Sequence, residues 1–261
     1  MRWLRRPSRW TGSDDVALLR REHTPDAVAN RLARQPDHSY LRDFVYGAID
    51  GTVTTFAVVA GVAGAGLRSS VVIILGIANL IADGFSMAAS NYLGTRTERQ
   101  QHATARADER RQIALHPEGE REEIRQILAG KGLAGRALDE AVEAVTSDVE
   151  RWVDVMMTDE LGLSPHLPNE KRAAVSTFAA FVLVGLLPLL PFIVASVAAG
   201  ATAQPFSWSA AMTAVAFFVV GAVKGRLVGQ RPLVGGLEVL AVGGAAAVLA
   251  YIAGVVLGGL A

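Results

Sequence analysis

The chain contains no cysteine. That excludes disulfides, thiolate zinc sites and cysteine nucleophiles, and leaves carboxylate, imidazole, thioether or carbonyl groups as the donors for any metal. There is no Ser/His/Asp pattern and no phosphate-binding glycine loop, and all five histidines lie outside the long apolar runs. No enzymatic reaction suggests itself, and neither a prosthetic group nor a nucleic-acid partner is expected. Met1 to Trp10 is basic but lacks the apolar stretch of a cleavable signal peptide. Internal repeats and low-complexity linkers are absent as well.

What the chain does have is apolar residues, 51% of the total, gathered into blocks of roughly twenty. Runs of that length span a hydrocarbon core of about 30 Å at about 1.5 Å per residue. Val45 to Ala65, Val71 to Leu93, Ala173 to Ala198, Ser207 to Val223 and Leu233 to Leu257 are the candidates. The expected fold class is therefore all-α, a polytopic membrane protein with five transmembrane helices. A helical cytoplasmic insertion separates the second span from the third.

The zero net charge hides a segregation. Residues 1–43 hold nine Lys/Arg and six Asp/Glu, residues 96–172 hold twelve and sixteen, and Lys224 to Arg231 adds three positive charges, whereas the opposite side has only Arg68. The positive-inside rule then places the N-terminus, the insertion and the fourth-to-fifth loop in the cytoplasm, and the C-terminus outside. The division expected is a cytoplasmic extension 1–43, spans in 44–94, a cytoplasmic metal-binding domain 95–172 and spans in 173–261. In the extension, Trp3 and Trp10 among arginines suit a membrane surface or a loose tail, and Thr24-Pro25-Asp26 reads as a capped start of a helix through Leu32. In the insertion, helices are expected to Leu115, over Pro117 to Ala129, over Arg136 to Val145, and from a Ser147 cap to Leu161. Its small size makes packing on a second copy plausible.

Two ionisable residues sit within the first two spans, Asp50 and Asp83, and such groups mark an ion, proton or substrate path by default. Counted from the run ends, Asp50 and Met87 share a depth near the cytoplasmic end, with Asp83 nearer the middle. Asn79, Asp83 and Met87 follow at four-residue spacing along one helix face. A hard oxygen and a soft thioether together suit borderline divalent metals better than Mg²⁺ or Ca²⁺. The plain alternatives are an interfacial role for Asp50 and core filling for Met87. Gly47 and Gly51 have the spacing of a close helix contact, within the chain or between two copies. Glu238 near the end of the fifth span is read as pairing with Lys224 or Arg226. In the insertion, Glu109 with Gln112, Glu120 with Glu123, and Met156 and Met157 with Glu160 each share a helix face or turn. Those faces could converge on a divalent metal, or be no more than solvated acidic surface.

Asp50-Gly-Thr-Val-Thr-Thr-Phe-Ala-Val-Val-Ala-Gly, Ala78-Asn-Leu-Ile-Ala-Asp-Gly-Phe-Ser-Met, the acidic helices that follow, and Met156-Met-Thr-Asp-Glu160 resemble the vacuolar iron transporter family from about Leu41 to the C-terminus. The resemblance implies a homodimer of five-helix subunits that carries Fe²⁺, with Mn²⁺, Co²⁺ or Zn²⁺ as further cargo, out of the cytosol in exchange for protons. It implies Asp50 and Met87 as metal residues of the path, and Glu109, Glu120, Glu123, Met156, Met157 and Glu160 as ligands of the cytoplasmic domain. Gln112 stands where the family pattern has a second glutamate. Asp83, with Asn79, is assigned to the proton path or to a secondary ligand role. A bacterial inner membrane is the expected location. A membrane-anchored metal sensor or storage adaptor without transport is the alternative reading, and an organic-solute transporter is disfavoured for want of an aromatic-lined pocket.

Overall fold

The computed structural model describes residues 13–33, 39–198 and 204–259, so the Trp3 and Trp10 reading lies outside the described residues. Every element is helical among them: α1 (Ser13–Glu22), α2 (Pro25–Ala33), α3 (Leu41–Gly64), α4 (Ser69–Leu115), α5 (Pro117–Gly130), α6 (Gly135–Thr146), α7 (Val149–Val155), a π-helical turn Met156–Glu160, α8 (Glu170–Gly185), a 3₁₀ turn Leu187–Leu189, α9 (Leu190–Val197), α10 (Pro205–Leu227) and α11 (Pro232–Gly258). Among the described residues five helical segments are long and apolar enough to cross a membrane: α3, the apolar part of α4, α8 with α9, α10 and α11. At 47 residues α4 is about 70 Å long, more than twice the hydrocarbon thickness, so its second half lies beyond any span. The chain divides into two compact units, one of residues 1–92 with 171–261 and one of residues 93–170.

In the larger unit Phe56, Val59 and Val62 of α3 share a core with Val72 and Leu80 of α4, Phe181 of α8, Leu189, Phe192, Phe217 of α10 and Val239 of α11. Large apolar side chains such as Ile74, Ile81, Phe85, Leu183 and Leu249 point outward, as expected of surfaces that meet lipid. The third span differs from the unbroken helix expected. Pro188 and Pro191 each remove a backbone donor, and the helix breaks into the 3₁₀ turn before α9. The buried Ser209 of α10 donates to the Pro188 carbonyl at 2.6 Å and so satisfies a group the break leaves free. Glu238 pairs with Lys224 at 3.1 Å.

Gly47 and Gly51 are corrected as evidence for a dimer. A Cβ on Gly51 would strike the Phe181 backbone, and one on Gly47 the Thr177 carbonyl, so both glycines serve the packing of α3 on α8 within one chain.

The smaller unit buries a core of its own, Ile113, Ile124, Val142, Trp152, Val153, Met156 and Met157, without a second copy. The cap of α7 is Asp148, whose side chain accepts the Arg151 N–H at 2.8 Å, and the expected Ser147 instead closes α6. Nor does α7 continue to Leu161 as an α-helix, because Leu161 N–H reaches back five residues to the Met156 carbonyl at 3.1 Å.

Candidate metal centre

In the larger unit two contacts set the register of the antiparallel helices α3 and α4. Asn91 Nδ2 donates to Asp43 Oδ1 at 3.0 Å, and Asn79 Nδ2 donates to Thr54 Oγ1 at 3.3 Å. In that register position 50 faces 83–84 and position 87 faces 46–47. Asp50 therefore stands level with Asp83, near enough for the two charges to interact. Met87 lies about one turn away, toward the start of α3. The shared depth of Asp50 and Met87 was counted from apolar run ends, and α3 begins at Leu41, before its run does.

Asp50 and Asn79 are half-buried, Asp83 is exposed, and Met87 packs partly buried against the apolar core. Thr54 Oγ1 also donates to the Asp50 carbonyl at 2.9 Å, which leaves its lone pairs to Asn79. Sequence reasoning missed the knot at the other end of this face, where Asn91 donates to Thr177 Oγ1 at 2.8 Å as well as to Asp43. The signal was available: Asn91 extends the four-residue series Asn79, Asp83, Met87 by one more step.

The smaller unit contains the second group. Several of its peripheral acids are paired with cations: Arg106 and Arg110 hold Glu150, Arg106 also holds Asp154, Arg121 holds Glu143, Arg125 holds Asp139 and Lys131 holds Asp159. The Arg110 and Arg106 guanidiniums hold the Glu150 carboxyl down at about 2. Glu109, Glu120, Glu123 and Glu160 are treated differently, since no cation pairs with any of them among the described residues. Glu109 and Glu120 are only 4% and 6% exposed, and Oε2 of each is buried without a hydrogen-bond partner. A buried carboxylate oxygen left so is costly unless a proton or cation reaches it.

The electrostatics follow from that isolation. Burial first, then the charges of Glu160, Glu120, Glu123 and Asp108, push the Glu109 carboxyl up to about 7. Burial, then Glu123 and Glu160, raise Glu120, partly opposed by His116, and burial and then Glu123 raise Glu160. Glu123 and Glu160 are exposed. Gln112 is exposed too, and its amide donates to Glu109 Oε1 at a long 3.5 Å. Met156 and Met157 are 0% and 2% exposed within the apolar core, carried by the π-helical turn that also bears Glu160. Among the described residues no three His, Asp or Glu side chains converge closely enough to hold an ion as they stand. The four glutamates share one field, and closing on a cation would take side-chain rotation.

The chain is similar to known proteins over most of its length. The family model described as the VIT family matches residues 41–255. Vacuolar iron transporter 1 of Arabidopsis thaliana is 35% identical over 214 residues, 81% of this chain and 83% of that protein. A vacuolar iron transporter of Toxoplasma gondii is 34% identical over 239 residues, 89% of this chain and 78% of the relative. One of Plasmodium berghei is 28% identical over 243 residues, covering 90% and 88%.

Proposed function

Because the chain belongs to the VIT family, the vacuolar iron transporters, we propose that it exports a divalent transition metal, Fe²⁺ foremost, from the cytosol in exchange for protons. The relatives are named as transporters, not enzymes. The observation that carries the reading is the burial within the smaller unit: several acids around the site are paired with Arg or Lys, while Glu109 and Glu120, beside Glu123 and Glu160, are buried with an unpartnered carboxylate oxygen each. Such a group attracts divalent cations and must give up protons to bind them.

In this reading residues 95–172 face the cytosol, as the positive-inside count favours, and gather metal on the four glutamates and Gln112, with Met156 and Met157, buried in the core as they stand, as the proposed thioether ligands. The ion then passes to Asp50 and Met87. Metal and proton compete for the same carboxylate oxygens, so exposing Asp50 and Asp83 alternately to the two sides converts competition into antiport. Asn79 holds α4 in register for that exchange. Mn²⁺, Co²⁺ and Zn²⁺ share the donor preferences of Fe²⁺ and are the further cargo proposed. The bacterial inner membrane is the proposed location.

The exposure of Asp83 within the apolar part of α4 supports a homodimer, since a carboxylate at that depth is costly against lipid and a second copy would cover it. It also weighs against a mere anchored sensor or storage adaptor, which has no use for an acid there. Purified protein in liposomes should move Fe²⁺ inward or outward only against an opposing proton gradient. Flux at full rate with no gradient would eliminate exchange, and metal binding without any flux would favour the sensor.

A further inference from the structure

His116 has no part in the reading above, and it occupies the break between the two helices that carry three of the four glutamates. Its backbone N–H is bonded to the Gln112 carbonyl at 2.8 Å, one turn beyond Gln112, and its own carbonyl accepts from the N–H groups of Gly119 and Glu120 at 3.1 and 3.2 Å. It follows the last residue of α4, Leu115, and caps the start of α5 with non-helical backbone, φ −144° and ψ 62°. The ring folds over Gly119: a Cβ there would strike ring Cδ2 and lie 2.7 Å from Nε2, so a side chain at position 119 would displace the imidazole. One residue on is Glu120, whose carboxyl senses the His116 charge. The ring itself is exposed and accessible to an incoming ion.

The chemistry at this spot is short of one donor. Gln112 replaces the glutamate that the resemblance implies, removing a charge, while Glu109 Oε2 and Glu120 Oε2 remain buried without partners. An imidazole can supply a donor without adding charge, and it suits Fe²⁺, Co²⁺ and Zn²⁺, whereas carboxylates and carbonyls alone suit Mn²⁺ and Mg²⁺. We infer that His116 is a nitrogen ligand of the glutamate cluster, standing in for the carboxylate absent at position 112 and biasing the site toward Fe²⁺, Co²⁺ and Zn²⁺ over Mn²⁺. The inference rests on reading the four glutamates as a metal site.

The test uses the full chain, purified metal-free in detergent and titrated with Zn²⁺ and with Mn²⁺, with folding of each variant checked by circular dichroism. His116→Ala weakens Zn²⁺ binding by on the order of tenfold and Mn²⁺ binding by much less. Gly119→Ala, which moves the ring but keeps it, shifts Zn²⁺ binding in the same direction. Adding Gln112→Glu to His116→Ala restores affinity for Mn²⁺ more than for Zn²⁺. Pulsed electron paramagnetic resonance of bound Mn²⁺ shows nitrogen modulation in the unaltered chain and in His166→Ala, and loses it in His116→Ala. Modulation that survives His116→Ala, or Zn²⁺ affinity unchanged in that variant while Glu120→Gln still weakens it, overturns the histidine assignment and leaves the glutamate site standing. Binding of both metals unchanged in Glu109→Gln and Glu120→Gln removes the site itself, and His116 with it.

Discussion

Asn79 donates a 3.3 Å hydrogen bond to Thr54, and the register it sets puts Asp83, not Met87, level with Asp50. Two carboxylates at one depth can exchange protons with each other, which a carboxylate and a thioether cannot. Asp50→Asn, which keeps shape and removes charge, should abolish Fe²⁺ flux in liposomes, and Asp83→Asn should slow it by about tenfold. Full flux in both variants would remove the intramembrane acids from the path.

Met87 packs partly buried against the core, so Met87→Leu should leave the fold intact at a cost below about 1.5 kcal/mol. In the proposed function the thioether is the soft donor of the path. The variant should lose Fe²⁺ and Zn²⁺ transport relative to Mn²⁺ when initial rates are compared in one preparation. An unchanged ratio would mark Met87 as packing alone.

The Glu109 carboxyl, raised from an ordinary 4.5 to about 7, gives a pH dependence of definite sign. A carboxyl with a raised folded-state value retains a proton that the unfolded chain has released, so its stabilising contribution is lost as pH climbs from about 4.5 through about 7. The melting temperature of metal-free protein should fall by a few degrees across that window. Divalent metal should restore it more at the upper end than at the lower, because binding must displace the proton. Glu109→Gln should flatten the slope; an equally steep slope in that variant would locate the titrating group elsewhere.

Gly51 packs against the backbone of Phe181, which makes Gly51→Val a test of where that face lies. The clash is within one chain, so the variant should lose thermal stability and yield, by roughly 1–3 kcal/mol or more. A variant as stable as the parent but monomeric by light scattering would return the glycine face to a subunit interface.

These placements also show what the sequence could carry. The five spans were legible because each is an apolar block of about membrane-spanning length, most of them bounded by charge or proline, and the pairing of Glu238 with Lys224 followed from both lying near span ends. Relative depth was not, since it depends on where α3 starts and on side-chain bonds such as Asn91 to Asp43, neither of which hydropathy records. The break at Pro188 was visible as two prolines, yet membrane helices tolerate proline, and only the Ser209 partner shows how the freed carbonyl is met. The three-residue spacing found the glutamates. Which of them is buried depends on how α4, α5 and the π-helical turn pack, and the π-turn differs from an α-turn only in acceptor choice, the Leu161 N–H reaching the Met156 carbonyl where an α-turn would use that of Met157.

The most direct test of the central claim is Fe²⁺ flux in liposomes containing the purified full chain, with internal pH recorded in the same experiment. Metal movement coupled to opposite proton movement, both abolished by Asp50→Asn, is the predicted result. Metal entering at the same rate with or without a proton gradient, or unaffected by Asp50→Asn, would contradict it.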